Sequence, residues 1–178
     1  MMNSYLYSPY ELALIIQYHQ MNCEQYIELL QNIHRYDSIF IQPEYRSDLK
    51  MFILAVMDKL NYISDPTTYL SEQSDIEKDL NDYGLINNSK TDDTEHTFSH
   101  LVFKEIRIRI LYINKKGFSK MKLRTLLSEL GYKRRSSSVN EYIYDCLLFY
   151  HIETTLKGNV PCRIDEIDID DTVIFRTL

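Results

Sequence analysis

The amino-acid sequence predicts a mainly α protein of the α+β class, with helices through most of the chain and a small β element near its end. Gly and Pro are scarce, at four each in 178 residues, which disfavours the many sharp turns of an all-β fold. Apolar residues recur at helical spacing over most of the sequence. Residues 163–176 alternate apolar and polar side chains as the two strands of a hairpin do.

The first two helices follow from their capping residues and apolar periodicity. Ser8, Pro9 and Glu11 supply an N-cap, a proline at the first helical position and the acid of a capping box. A second helix is predicted over residues 23–35, and residues 38–42 are predicted to form a short extended link.

The third predicted helix has two possible starts, Pro43 and Ser47. Its apolar stripe is unusually regular and consists of Leu49, Phe52, Ile53, Val56, Met57, Leu60 and Ile63. We expect this stripe to be core, and a groove that accepts a partner helix is the alternative.

An acidic region separates two halves of the chain. Residues 65–97 are rich in Asp, Glu, Asn, Ser and Thr, which is typical of an exposed linker, although residues 74–83 could form a short helix. We therefore predict an N-terminal helical domain over residues 1–84, an acidic linker over residues 85–97 and a C-terminal domain over residues 98–178.

The C-terminal domain is predicted to begin with three helices. The first covers residues 98–114, although Ile106–Ile110 also alternates as a strand would. The second covers residues 120–130 and is stopped by Gly131. The third begins with a capping box made by Ser138 and Glu141. One side of the third helix is apolar and consists of Val139, Tyr142, Ile143, Cys146, Leu147 and Tyr150.

A hairpin is predicted to follow, with strands at residues 163–169 and 172–176 and a turn at Asp170-Asp171. These elements are the parts of a winged helix-turn-helix, which consists of one helix, two further helices joined by a short glycine-containing turn, and a hairpin. The N-terminal half could be a second one.

The charge is strongly divided along the chain, whose net charge is −6. The stretch from Leu101 to Arg135 carries +9 and all other residues together carry −15. Three of its cations, Lys104, Arg107 and Arg109, lie in the first helix of the C-terminal domain. The remaining cations and a serine run form the predicted DNA-binding set: Lys115, Lys116, Lys120, Lys122, Arg124, Lys133, Arg134, Arg135, Ser136, Ser137 and Ser138.

Guanidinium and ammonium groups, hydroxyls and free amides at a helix start are the groups that contact DNA phosphates. Two alternatives remain: the set meets an acidic protein surface, or it is merely solvated and neutralises the chain's own acids. Glu141 and Asp145 on the predicted recognition helix are poorly suited to base edges, so we expect contacts to the DNA backbone rather than sequence reading.

The sequence contains no motif that indicates catalysis. It lacks a glycine-rich phosphate loop and a Ser or Cys nucleophile motif, and its three cysteines form no C-x-x-C pair. His96 and His100 are four residues apart, but capping or solvation explains them more simply than a metal. The acids at residues 165–171 lack the glycine and spacing of a calcium loop. We expect a non-enzymatic protein without metal or cofactor, in the cytoplasm and not in a membrane.

Two segments resemble known proteins. Leu130-Gly-Tyr-Lys-Arg-Arg-Ser-Ser-Ser138, with the helix and hairpin after it, resembles winged-helix modules of bacterial mobile-element and antiviral-defence proteins. Ser8-Pro-Tyr-Glu-Leu-Ala-Leu-Ile-Ile16 resembles the start of the small middle components of three-component ATPase defence systems, the Lamassu-like group. That resemblance implies a non-catalytic subunit that bridges an SMC-like ATPase and an effector.

The expected function is thus an accessory subunit that contacts DNA backbone and a protein partner in a bacterial defence or SMC-like complex. A free-standing DNA-binding regulator encoded by a phage or plasmid is one alternative. A phage inhibitor, whose acidic half mimics nucleic acid and blocks a host nuclease, is another.

Overall fold

A computed structural model describes residues 5–64, 93–114 and 116–178 of the chain. The chain divides into two compact units, an N-terminal unit (Met1–Asp92) and a C-terminal unit (Asp93–Leu178). The described residues are mainly helical and include one four-stranded antiparallel sheet in the C-terminal unit, so the predicted α+β class is confirmed. The helix predicted at residues 74–83 and most of the predicted linker lie outside the described residues.

The N-terminal unit is built from helices. They are α1 (Pro9–Tyr18), α2 (Cys23–Tyr36) and α3 (Leu49–Ser64), with single 3₁₀ turns at Ser38–Phe40 and Pro43–Tyr45. The capping box of Ser8 and Glu11 at the start of α1 is confirmed. Helix α2 has a second capping box, formed by Asn22 and Gln25, that our sequence analysis missed.

The predicted extended link at residues 38–42 is wrong for residues 38–40, whereas Ile41 is extended. The chain makes a 3₁₀ turn at Ser38–Phe40, and Ile41 then forms a single parallel bridge with Tyr7. Arg46 explains the turn, because its Nε donates to the carbonyl of Ile41 (2.7 Å) and its Nη2 to that of Ile39 (2.9 Å). The Arg46 side chain thus supplies hydrogen bonds to backbone carbonyls that would otherwise need a donor from a neighbouring strand.

The third helix begins at neither of its predicted starts, Pro43 and Ser47. Pro43 begins the second 3₁₀ turn, and α3 begins after Asp48, whose Oδ1 accepts from the Met51 amide at 3.0 Å. Helix α3 packs on α1. Phe52 and Val56 are fully buried, as expected for core.

The second half of the apolar stripe is only half-buried. Met57 and Leu60 of α3, with Ile16 of α1 and Met21 and Tyr26 beside them, line an open groove of about 480 Å³. The core interpretation therefore holds for the first two turns of α3, while the last turns border this groove.

The C-terminal unit begins with α4 (Asp93–Ile108), which passes directly into a π-helical turn (Arg109–Ile113), so the strand-like alternation at Ile106–Ile110 is not a strand. The remaining elements are β1 (Ser119–Lys122), α5 (Leu123–Glu129), α6 (Ser137–Phe149), β2 (Ile152–Leu156), β3 (Val160–Pro161) and β4 (Thr172–Thr177). The sheet order is β1-β4-β2-β3, with antiparallel pairs throughout.

The predicted second helix begins too early. Residues 120–122 belong to strand β1, where Lys120 pairs with Ile174 of β4, and the helix starts at Leu123. Gly131 ends α5 as predicted: its φ of 81° suits a glycine, and the Gly131 and Tyr132 amides donate to the carbonyls of Ser128 and Leu127.

The capping box predicted for the third helix is also wrong. Helix α6 is capped by Ser136, whose Oγ accepts from the Val139 amide at 3.3 Å, so the N-cap is two residues before Ser138. Its buried face is as predicted, with Val139, Ile143, Cys146 and Leu147 buried.

The first strand of the predicted hairpin does not exist. Residues 163–169 form turns, and β4 pairs instead with β1 and β2. Carboxylates explain the difference, because Asp171 Oδ2 accepts from the Asp168 amide and Asp168 Oδ1 from the Asp170 amide, both at 2.9 Å. Such local side-chain acceptors compete with a strand for backbone donors.

Candidate nucleic-acid interface

Apart from Arg124, which is exposed but ion-paired, five of the predicted DNA-binding cations are exposed on the C-terminal unit: Lys116, Lys120, Lys122, Lys133 and Arg134. Within the described part of the chain, none of them forms an ion pair. Lys120 and Lys122 alternate with inward-facing residues along β1, which is an edge strand. Lys133 and Arg134 lie in the turn before α6, and Lys115 lies outside the described residues.

The serine run after Arg135 has divided roles. Ser136 caps α6, and its Oγ lies 3.0 Å from that of Ser138. Ser137 and Ser138 are exposed in the first turn of the helix. Lys133 and Arg134 therefore precede a helix start with exposed hydroxyls, an arrangement that favours anions.

Two predicted binding residues contact the long loop between β3 and β4, residues 162–171. Arg124 Nη2 lies 2.8 Å from Asp170 Oδ2, in a pair that is largely exposed. Arg135 is half-buried, and its Nη1 donates to the carbonyls of Ile164 (2.6 Å) and Ile167 (2.7 Å). Arg135 thus holds the loop in place and is not a free phosphate ligand.

The three cations of α4 and the π-helical turn do not form part of an exposed basic surface. Lys104 is completely buried, and Arg107, 7% exposed, donates from Nη1 to the Tyr150 carbonyl at 2.6 Å. Arg109 pairs with Glu105 at 3.3 Å. The +9 charge of this stretch therefore overstates the basic surface. The burial of Arg107 could have been inferred from its position. Arg107 lies four residues after Phe103, which is buried, and the two therefore share one face of the helix.

The exposed face of α6 is acidic where a recognition helix would meet DNA. It consists of Ser137, Ser138, Glu141, Asp145 and Leu148. Carboxylates repel phosphate, and in the major groove they can accept hydrogen bonds only from the amino groups of cytosine and adenine. The arrangement therefore suits contact with the DNA backbone near the helix start better than reading of base edges.

A second clamp joins α6 to the long loop. The Tyr144 hydroxyl donates to Asp165, and Arg163 donates to both Asp165 oxygens, at 3.2 and 3.1 Å. Arg163 first, and then Tyr144, lower the pKa of Asp165 from 3.8 to about 2.

This clamp should make the stability of the C-terminal unit depend on pH in the acidic range. Because the folded pKa of Asp165 lies below its unfolded value, its contribution is present above about pH 4 and is lost as the pH falls towards 2. We expect Asp165→Asn to lower the urea midpoint at about pH 7 and to have a much smaller effect at about pH 2. An equal effect of the substitution at both pH values would contradict this role.

A buried polar cluster lies between α4 and α6. His100 Nδ1 is 3.0 Å from the Tyr142 hydroxyl and 3.7 Å from the Cys146 sulfur. Burial raises the pKa of the Cys146 thiol to about 12, so the sulfur stays protonated at neutral pH and is a poor nucleophile. The side chain of His96, the other member of the considered metal pair, is outside the described side chains.

In the described ranges, no three His, Cys, Asp or Glu side chains come together as a metal site. Nor does any helix in the same ranges have the length and apolar character to cross a bilayer. No protein-family model, curated protein or solved structure matches the chain.

Proposed function

We propose that this chain is a non-enzymatic winged helix-turn-helix accessory subunit, which contacts the DNA backbone without reading sequence and also binds a protein partner. The observation that carries the proposal is the contrast at α6. Exposed Lys133 and Arg134 precede the helix, whereas its exposed face presents Glu141 and Asp145. The cations at the start of the helix favour contact with phosphates, and the acids along the helix disfavour contact with bases.

Support for a protein partner comes from the small number of exposed, unpaired cations among the described residues of the predicted DNA-binding set, and from the resemblance of Ser8–Ile16 to middle components of ATPase defence systems. With only a few phosphate contacts, DNA affinity at physiological salt is weak, so a subunit of this kind needs a protein to hold it on DNA. An SMC-like ATPase is the partner that the resemblance implies.

The DNA-backbone part of the proposal is tested by fluorescence anisotropy with two labelled duplexes of unrelated sequence, each at two salt concentrations. We expect wild-type protein to bind both duplexes equally and to lose affinity as salt rises. The double variant Lys133→Ala/Arg134→Ala should bind both more weakly and to the same extent. Its salt slope should flatten by up to about two units, one for each lost phosphate contact.

Arg35→Ala/Lys50→Ala is the matched control, since it removes two exposed cations from the N-terminal unit. It should leave the affinity and the salt slope unchanged. Unaltered binding by a folded Lys133→Ala/Arg134→Ala variant would remove these residues from the interface. Strong preference for one duplex would instead favour a sequence-reading regulator.

A further inference from the structure

The sheet of the C-terminal unit has an outer face that is basic with an apolar centre. Lys120 and Lys122 are exposed on this face, and Lys120 pairs with the half-buried Ile174 of β4. The guanidinium of Arg176, two residues along β4, lies over the ring of half-buried Phe118, 5.8 Å from its centroid. Three cations thus lie around two partly exposed apolar side chains on the β1–β4 part of this face, and exposed Glu153 of β2 lies opposite Arg176 as an acid on the same face.

The exposed face of α6 has the opposite pattern. Glu141 and Asp145 are exposed and, within the described residues, unpaired, and Leu148 in the next turn is 77% exposed. At a rise of about 1.5 Å per residue, the two acids lie about 6 Å apart along the helix. Lys120 and Lys122 lie about 6.6 Å apart along their strand, so the two charge pairs have matching spacing.

These two faces cannot meet within one molecule. Ile143 and Leu147 of α6 point into the core of the C-terminal unit, as do Val173 and Phe175 of β4. The exposed side of α6 and the outer side of the sheet therefore both point away from the same core. Only a second molecule can bring one against the other.

We infer that the acidic face of α6 (Glu141, Asp145 and Leu148) binds the outer sheet face (Phe118, Lys120, Lys122, Ile174 and Arg176) of a second copy of this chain. The contact joins two different surfaces, so it is head-to-tail and leaves one face free at each end for further copies. Few ion pairs and one apolar anchor give a weak, salt-sensitive association, with a Kd of about 0.1–1 mM. This inference goes beyond the proposed function and does not depend on DNA binding.

Sedimentation equilibrium of the full chain, without DNA, tests it. The mean mass of wild-type protein should rise with concentration and pass that of a dimer, and salt should suppress the rise. Glu141→Lys/Asp145→Lys makes the α6 face basic like the sheet face, and Lys120→Glu/Lys122→Glu makes the sheet face acidic like the α6 face. Each variant alone should associate at least about 10-fold more weakly than wild type. An equal mixture should regain association, because every contact between unlike copies is again complementary.

Glu28→Lys/Glu44→Lys makes the same charge change at exposed positions of the N-terminal unit and should associate as wild type does. Restoration in the mixture also demonstrates that both variants are folded. A wild-type mass that stays monomeric at about 1 mM overturns the inference. Two other results would also overturn it. One is that both charge-reversal variants associate as strongly as wild type, and the other is that their mixture associates no more strongly than either variant alone.

Discussion

Replacing Arg107 with Ala should lower the free energy of unfolding by about 3 kcal/mol. The buried guanidinium donates to the Tyr150 carbonyl at the end of α6, 43 residues away in sequence, and so ties α4 to the end of α6. Its loss leaves a buried acceptor without this donor and removes the packing of the aliphatic stem. Urea denaturation followed by circular dichroism measures the change.

Lys116→Ala is a suitable control, since Lys116 is exposed in the same unit and should change the unfolding free energy by less than about 0.5 kcal/mol. Arg107→Lys keeps the charge and the stem but not the planar fork, so it should recover only part of the loss. Wild-type stability in Arg107→Ala would show that this hydrogen bond contributes little to the packing of α4 against α6.

Arg135→Ala should cost about 2–3 kcal/mol, whereas Arg134→Ala, its exposed neighbour, should stay within about 0.5 kcal/mol of wild type. Arg135 donates to the carbonyls of Ile164 and Ile167, and without it the loop at residues 162–171 loses its anchor to the turn before α6. Hydrogen exchange should locate the change, with faster exchange of the loop amides in Arg135→Ala only.

The same pair of variants separates stability from DNA binding. Arg134→Ala should weaken DNA binding without destabilising the protein, and Arg135→Ala should destabilise the protein. The opposite pattern, a stable Arg135→Ala protein with reduced DNA affinity, would return Arg135 to the interface and contradict its role as the loop anchor.

Features set by short-range sequence signals were predictable. The capping box of Ser8 and Glu11 at α1, the glycine stop at Gly131 and the buried face of α6 each depend on residues within a few positions of one another. The exposed acids of α6, and hence the doubt about base reading, were predictable for the same reason.

Features set by distant partners were not predictable. Lys120 and Lys122 lie on a strand only because β4, about 50 residues later, pairs with them, while locally they continue the periodicity of α5. The charges of Arg107 and Arg135 suggest surface positions, yet each donates to carbonyls from a remote element. Total charge along the sequence therefore overstated the basic surface.

The sheet order has a consequence for how this protein acquires its fold. β4 lies between β1 and β2, yet of the four strands it is the last to leave the ribosome. Until then β1 has no partner, and the nascent chain exposes an unpaired strand edge, a common start of aggregation. Lys120 and Lys122 place like charges on the unpaired strand β1, and their repulsion should protect the nascent chain from pairing with another copy. Completion of the sheet is then a late, long-range and comparatively slow step.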